Sequence, residues 1–378
     1  MSDNHDALNR RELVHGAATL LAGAALGPAV ALAANTSEAS MSDRAYPPPG
    51  AAVVTEDGTL LLGARRIPLP SGVSDAARAF LSRPRVDLGA RPPLEDKEAW
   101  RKRVARLDLA LEPMTNQLLA IVGTRASIET RTIDGVVVHV ATPADPHPAR
   151  KKWLRITVHG GAFVYMGGKF ARAEAGLVAV HTGCEAWSVD YRMPPDYPYP
   201  AAVDDVVAVY GAALATRAPG LVAISGSSAG GNLVAAAALK ARGIGMPLPG
   251  ALGLFTPASD LTDSGDTFHT NRGIDHMLPE SLPDEITLYA NGADLRDPYL
   301  SPLFGNFEPG FPPTQVQTGT RDLLLSNSVR IHRALRAAGV TADLHVWEAM
   351  PHGGFGFDSP EKAEGYEEFN VFLERHLG

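Results

Sequence analysis

The chain has 378 residues, which is long enough for two or three domains or for one large domain with insertions. Hydrophobic residues make up 45% of it and charged residues 20%, ordinary values that exclude a coiled coil and a wholly disordered chain. The net charge of −8 lacks the basic surface that a phosphate backbone requires, so no nucleic acid partner is expected. The single cysteine, Cys184, can form neither an internal disulfide nor a thiolate metal cluster.

Residues 1–33 have the pattern of an export signal. Arg10-Arg11 stand before an uncharged stretch of small and apolar residues that ends in an Ala-Leu-Ala cleavage pattern at Ala33. This is similar to a twin-arginine signal, so we expect a periplasmic or secreted protein with no stable membrane insertion after processing. An uncleaved membrane anchor and a cytosolic tail are the alternatives.

Two segments separate this signal from the regular part of the chain. Residues 34–52, which contain a Pro-Pro-Pro-Gly run, predict a linker. Residues 53–125 predict an N-terminal segment whose helices cover the rest of the fold as a cap. Its predicted elements are a hairpin over 53–62 around Asp57-Gly58, a helix over 75–81 with Ser74 as its cap, and a helix over 95–111.

From residue 126 to residue 378, short apolar runs alternate with amphipathic helices. This alternation predicts an α/β fold with a doubly wound, mostly parallel sheet. Residues 262–295 fit neither pattern and predict an insertion. The predicted strands cover 136–141, 153–158, 186–190, 221–225, 251–255, 314–318 and 342–346, and the predicted helices cover 201–215, 232–241 and 325–338.

The loop after the strand at 221–225 has the sequence of a nucleophile elbow. It contains Gly226-Ser227-Ser228-Ala229-Gly230, a G-x-S-x-G motif, and leads directly into a predicted helix. Glycine is needed on both sides of Ser228 because the strand turns sharply into the helix, and a Cβ atom there would collide with neighbouring backbone. A plain glycine-serine loop is the alternative.

A nucleophilic serine needs a base, and the base needs an acid that orients it. His352 is the histidine after Ser228 that lies in a glycine-rich loop following the last predicted strand. Asp322 follows the strand at 314–318, 30 residues before His352. The order Ser, Asp, His fits the chemistry, although Asp322 could instead cap the next helix.

The stretch after the strand at 153–158 can supply hydrogen-bond donors for an oxyanion. Gly160 and Gly161 would offer backbone N–H groups, and Ala229 would offer a third at the start of its helix. His159 could alternatively bind a metal, but no second ligand lies at a suitable spacing. We therefore expect a site without metal or other cofactor.

Together these motifs resemble the bacterial hormone-sensitive-lipase-like esterases, which have the α/β-hydrolase fold, over residues 136–378. The resemblance implies that Ser228, Asp322 and His352 form a catalytic triad, and that the N-terminal helices and the insertion form a cap. Two positions depart from the family pattern, since Ala162 replaces a usual glycine and Ser227 replaces a frequent aspartate. The matching segments are His159–Ala162, Asp190–Ala202, Gly226–Gly231 and Asp297–Pro302.

The resemblance implies a carboxylesterase for short to medium acyl chains, working through an acyl-enzyme, with small lactones as further substrates. A non-catalytic ligand-binding protein on the same fold and a serine peptidase are the alternatives. We expect four bulky side chains in loops that face the cap to form a narrow substrate pocket. The last strand and helix could also form a homodimer. The four expected pocket residues are Tyr165, Met166, Tyr197 and Tyr199.

Overall fold

The computed structural model describes residues 48–85 and 89–378 of the chain. Its backbone contacts divide the chain into two compact units, Met1–Leu69 and Pro70–Gly378. The predicted signal and most of the predicted linker lie outside the described residues. Within the described ranges, no helix combines the length and the apolar character that crossing a membrane requires.

The described part of the first unit contains a small hairpin. Strand β1 (Ala52–Val54) pairs antiparallel with β2 (Leu60–Leu62). Gly58 has φ of 82°, a left-handed conformation that glycine adopts without steric cost, and it allows the tight turn. The hairpin predicted over residues 53–62 is therefore confirmed.

The second unit contains an eight-stranded sheet. Its spatial order is β10-β9-β8-β7-β5-β6-β4-β3, and only β4 runs antiparallel to its neighbours. The predicted doubly wound, mostly parallel sheet is confirmed, with one additional edge strand. The strands are β3 (Ala126–Ile133), β4 (Val136–Pro143), β5 (Leu154–Val158), β6 (Glu185–Asp190), β7 (Val222–Ser227), β8 (Ala251–Phe255), β9 (Thr314–Gly319) and β10 (Ala342–Trp347).

Helices cover both faces of this sheet. Those longer than four residues are α1 (Asp75–Leu81), α2 (Lys97–Val122), α3 (Lys169–Thr182), α4 (Ala201–Leu214), α5 (Ala229–Gly243), α7 (Pro283–Ala290), α8 (Leu325–Ala337) and α9 (Pro360–His376), and the single turn α6 (Thr267–Thr270) lies in the insertion. The α4, α5 and α8 helices share the main core with one face, whereas α9 packs on β7 and β8 from the other face. Parallel strands buried in this way are mostly apolar, as in β8.

Five elements were missing from the sequence prediction, and two of them, α6 and α7, lie in the insertion at 262–295, where no helix was predicted. Strand β3 lies at an exposed edge of the sheet and consists mostly of polar residues, so it has no apolar run that would predict a strand. Helix α3 is buried on most sides and is rich in alanine, which hides its amphipathic pattern. Helix α9 does carry a start signal, because the Ser359 hydroxyl accepts a hydrogen bond from the Lys362 amide.

Helix α2 is longer than predicted and continues through Pro113. Proline has no N–H to donate to the carbonyl of Leu109, which normally disfavours a helix interior. Leu109 is 67% exposed, so water can hydrate that carbonyl. The predicted cap of α1 is confirmed, since the Ser74 hydroxyl accepts from the Ala77 amide.

A buried polar network joins α2, the loop after β5, and α7. The Tyr165 hydroxyl lies 2.9 Å from Arg103 Nε and donates to Glu285 Oε1 at 3.0 Å. Arg91 Nε donates to the same carboxylate at 2.9 Å. The side chain of Glu285 is fully buried, so its charge depends on these guanidinium partners.

We predict that Glu285→Gln lowers the free energy of unfolding by about 3 kcal/mol, because it leaves buried guanidinium groups without their counter-charge. The midpoint of urea denaturation measures this change. Glu280→Gln is the matched control, since Glu280 is 53% exposed and lies 3.7 Å from Arg91. Equal midpoints for the two variants would contradict the role of the network.

Candidate active site

Ser228 lies at the junction between β7 and α5, in a conformation that few residues other than glycine adopt. Its φ of 58° and ψ of −120° turn the strand directly into the helix. A Cβ atom on Gly230 would lie 1.9 Å from the Val158 carbonyl oxygen, and one on Gly226 would lie 2.5 Å from the backbone of Gly230. Both glycines are therefore required by close backbone packing, as the sequence predicts for a nucleophile elbow.

The structure brings the three predicted catalytic side chains into one hydrogen-bonded chain. Ser228 Oγ lies 2.8 Å from His352 Nε2, and His352 Nδ1 lies 3.0 Å from Asp322 Oδ1. Asp322 is completely buried, and its other carboxylate oxygen accepts from the Thr318 hydroxyl at 2.7 Å. Asp322 also accepts from the Leu324 amide, so it shapes its own turn while facing His352.

Opposing effects act on the protonation of His352. Burial lowers the pKa of its imidazole, but the hydrogen bond and the charge of Asp322 and the charge of Asp275 outweigh burial. The pKa of His352 therefore lies above its ordinary value of 6.5. The same two carboxylates would stabilise an imidazolium formed when His352 accepts a proton from Ser228.

The predicted oxyanion donors lie against the nucleophile. A Cβ atom on Gly160 would lie 3.0 Å from the Ser227 carbonyl oxygen and 3.4 Å from Ser228 Cβ, so a side chain there would force its neighbours to shift by a few tenths of an ångström. Within residues 48–85 and 89–378, the N–H groups of Gly160, Gly161 and Ala229 have no hydrogen-bond acceptor. These three donors are therefore free to bind a substrate oxygen.

His159 holds this loop in place. Its ring stacks on Tyr191 with 4.1 Å between ring centroids, and its Nδ1 lies 2.8 Å from the Gly160 carbonyl oxygen. Burial lowers the pKa of His159 to about 4, so the ring is neutral at physiological pH. Among the described residues, no group of His, Cys, Asp or Glu side chains is arranged to hold a metal ion.

The two departures from the family pattern are accommodated locally. Ala162 has φ of 53°, a conformation that favours glycine, but it follows the donor amides and leaves them in place. The Ser227 hydroxyl lies 3.5 Å from the Thr256 hydroxyl and lines a separate pocket of about 510 Å³ on the α9 side of the elbow.

A pocket of about 430 Å³ opens beside Ser228 and is lined mostly by apolar side chains. Ala162, Phe163 and Ala229 form the wall next to the oxyanion donors. The insertion at 262–295 supplies much of the remaining wall. Its contributions are Asp263, Phe268, Leu278, Ser281, Leu282 and Ile286.

None of the four residues predicted to form the substrate pocket lines the cavity beside Ser228. Tyr165 is committed to the network with Arg103 and Glu285, and Met166 packs against the cluster around Trp100 in α2. Tyr197 is 51% exposed, and the Tyr199 hydroxyl donates to Asp297. These four side chains lie in loops that serve packing and the surface, and their contact with a substrate stays a prediction.

Sequence reasoning also missed Asp275, which lies in the insertion and is completely buried. Its carboxylate accepts from the backbone amides of His352 at 3.1 Å and of Leu323 at 2.7 Å. It also accepts from the amides of Met277 and Leu278 in its own turn. Asp275 thus connects the loop of the base to the loop of the acid, and no sequence motif surrounds it.

Residues 155–356 match a family model whose description is the alpha/beta hydrolase fold, and this range contains Ser228, Asp322 and His352. The chain belongs to the α/β-hydrolase family. The match and the sheet topology together confirm the fold class predicted from the motifs.

Three individual proteins similar to this α/β-hydrolase are esterases or an acetyl-hydrolase. An acetyl-hydrolase of Streptomyces hygroscopicus is 30% identical over 65% of this chain and 83% of its own. The crystal structure of esterase E25 is 39% identical, with a TM-score of 0.77, covering 84% of this chain and 98% of that one. The crystal structure of an esterase from the bacterial hormone-sensitive lipase family is 28% identical, with a TM-score of 0.65, covering 80% of this chain and 96% of that one. The predicted family resemblance is confirmed.

We predict that Asp275→Asn lowers kcat/KM for ester hydrolysis at least about ten-fold, because an amide holds the two loops less firmly than a carboxylate does. Its pH dependence carries a second signature. His352 must be neutral to accept a proton, so activity falls as pH drops through its raised pKa. Loss of the Asp275 charge lowers that pKa, so the acidic limb of the kcat/KM profile should move to lower pH.

Asp284→Asn is a matched control, since Asp284 lies in the same insertion, in the first turn of α7, and no hydrogen bond or ion pair between described residues joins its side chain to the two loops. It should change neither the rate nor the acidic limb. An Asp275→Asn protein with the kcat/KM of the wild type and the same acidic limb in its pH profile would show that Asp275 does not position the site.

Proposed function

We propose that this protein is a serine carboxylesterase that hydrolyses short to medium chain esters through an acyl-enzyme on Ser228. The observation that carries the proposal is the continuous hydrogen-bonded chain from Ser228 Oγ through His352 to the buried Asp322. The amides of Gly160, Gly161 and Ala229 complete the arrangement, because acyl transfer needs both an activated nucleophile and a stabilised oxyanion.

In the first half of the reaction, His352 Nε2 takes the proton of Ser228 Oγ while the oxygen attacks the ester carbonyl carbon. The carbonyl oxygen becomes an oxyanion and accepts hydrogen bonds from the three amides. His352 then returns the proton to the departing alcohol oxygen as the carbon–oxygen bond breaks. Asp322 holds the imidazole in position and stabilises its charged form without taking the proton itself.

In the second half, a water molecule replaces the alcohol. His352 removes a proton from the water as its oxygen attacks the acyl carbon, and the same amides bind the second oxyanion. The bond to Ser228 Oγ breaks, Ser228 regains its proton from His352, and the carboxylic acid leaves. No oxidant, reductant or cofactor enters this sequence of steps.

The names of the similar proteins support esters as the substrate class, and the pocket supports their size. The pocket beside Ser228 is lined mostly by apolar side chains, which suits a short or medium acyl chain. Each buried methylene contributes about 0.8 kcal/mol until the chain reaches the far wall. Small lactones fit the same space and belong to the proposal.

We predict that Ser228→Ala and His352→Ala each reduce kcat for p-nitrophenyl butyrate by about 10⁴-fold or more, and that the double variant loses no more than either single variant. The members of a triad act as one unit, so their effects do not add. Ser227→Ala and His269→Ala are matched controls that change a neighbouring serine and an exposed histidine, and each should keep most of the activity. Near-normal turnover by a folded Ser228→Ala protein would contradict the proposal.

We predict that kcat/KM for p-nitrophenyl esters peaks at short to medium acyl chains and declines for long ones, because carbons beyond the far wall clash or stay hydrated. Peptide anilides should be hydrolysed far more slowly than the esters. A monotonic rise into long chains would contradict the short pocket while leaving the triad intact. Preferred cleavage of anilides would indicate a peptidase, and binding without turnover would indicate a ligand-binding protein.

A further inference from the structure

Two aspartates line the pocket beside Ser228, and the surroundings of their carboxylates differ. Asp260 is fully engaged, since it accepts from Arg330 Nη1 at 2.6 Å, from the amide and hydroxyl of Thr262, and from the Ser264 hydroxyl. An ionised carboxylate has about four acceptor positions, so Asp260 has none to spare for a ligand.

Asp263 lines the same pocket with far fewer partners. Among the described residues, no Lys, Arg or His side chain forms an ion pair with it, and the neighbouring polar side chain that acts on its carboxylate is Ser281. Its φ of 54° is left-handed, a conformation that costs free energy for a residue other than glycine. The fold therefore holds a half-buried carboxylate with spare acceptor capacity against the space that a substrate enters.

The rest of the wall makes this carboxylate unfavourable for a purely apolar substrate. Phe268, Leu278 and Ile286 line the same space, so an alkyl chain that fills it removes water from Asp263 and supplies no donor in return. Burial already raises the pKa of the Asp263 carboxyl. A substrate that carries a hydrogen-bond donor compensates this desolvation, whereas an alkyl chain does not.

We propose that Asp263 selects esters whose pocket-bound part carries a hydroxyl group, so that the preferred substrates are hydroxyalkanoate esters or hydroxyalkyl esters. A hydroxyl fits better than an ammonium group, because one carboxylate among apolar side chains compensates poorly for the lost hydration of a full positive charge. The proposal rests on the proposed esterase function and specifies its substrate class.

The test compares matched pairs of esters in a pH-stat assay, which needs no chromogenic group. Methyl hexanoate is compared with methyl 3-hydroxyhexanoate and methyl 6-hydroxyhexanoate, which varies the acyl side. Butyl acetate is compared with 4-hydroxybutyl acetate, which varies the alcohol side. The quantity measured is the ratio of kcat/KM for the hydroxylated ester to kcat/KM for its plain partner.

Two variants remove the charge in different ways. Asp263→Asn keeps the size and the tolerance of a left-handed φ, and Asp263→Gly removes the side chain at a conformation that glycine adopts freely. For at least one pair, we expect the ratio to fall about ten-fold in Asp263→Gly and by less in Asp263→Asn, because a charged acceptor binds a hydroxyl more strongly than an amide does.

Asp266→Asn is the matched control, since Asp266 is exposed, lies three residues away and does not line the pocket. Its ratios should equal those of the wild type. Ratios that stay constant in both Asp263 variants for every pair, or equal losses for plain and hydroxylated esters, would overturn the proposal. So would a wild-type preference for methyl 6-aminohexanoate over the hydroxylated ester.

These outcomes separate the two levels of the argument. Hydrolysis of plain methyl hexanoate or butyl acetate that disappears in Ser228→Ala supports the esterase function whatever the ratios are. Normal hydrolysis of the plain esters with unchanged ratios overturns the hydroxyl preference alone. Absence of hydrolysis for every ester overturns the esterase function, and the substrate preference falls with it.

Discussion

The close approach of the backbone after β5 to the backbone after β7 is the constraint on which the site depends. Gly230 lies so near the Val158 carbonyl that even a methyl group would overlap it, and Gly160 lies close to the Ser227 carbonyl as well. This contact sets the position of the nucleophile relative to the oxyanion donors. The strained φ of Ser228 persists because the strand and helix on both sides leave it no alternative.

Two carboxylates hold His352 in position. Asp322, in the loop after β9, contacts the imidazole, whereas Asp275, in the insertion, contacts the backbone that carries the imidazole. Both raise the pKa of His352 against the opposing effect of burial. The insertion is therefore part of the electrostatic environment of the base as well as a wall of the pocket.

The elements that the sequence predicted share a physical reason. Short apolar strands followed by glycine-rich loops identify the carboxyl edge of a parallel sheet, and Ser228, Asp322, His352 and Gly160 all lie there. The residues that were missed, such as Asp275, act through hydrogen bonds to backbone amides that are distant in sequence. Such contacts require no local motif, so no spacing of residue types reveals them.

The pocket shows the same difference between local and distant information. Aromatic residues such as Tyr165 are suited to a substrate wall by their size and polarity, but which ones face a cavity depends on their partners. The Tyr165 hydroxyl forms hydrogen bonds with Arg103 and Glu285, which lie on two separate helices. The wall beside Ser228 instead includes six residues of the insertion, whose sequence has no regular pattern.

Because Asp275 fixes the insertion near its middle, the insertion consists of two arms that meet at one anchored point. The arm at 262–274 carries Asp263, and the arm at 276–295 carries Ile286, so each contributes its own part of the wall. The Gly273 amide of the first arm donates to the Pro279 carbonyl of the second at 2.8 Å. A substitution that moves one arm therefore acts on the other, so the two sides of the pocket change together while Asp275 faces the loops of His352 and Asp322.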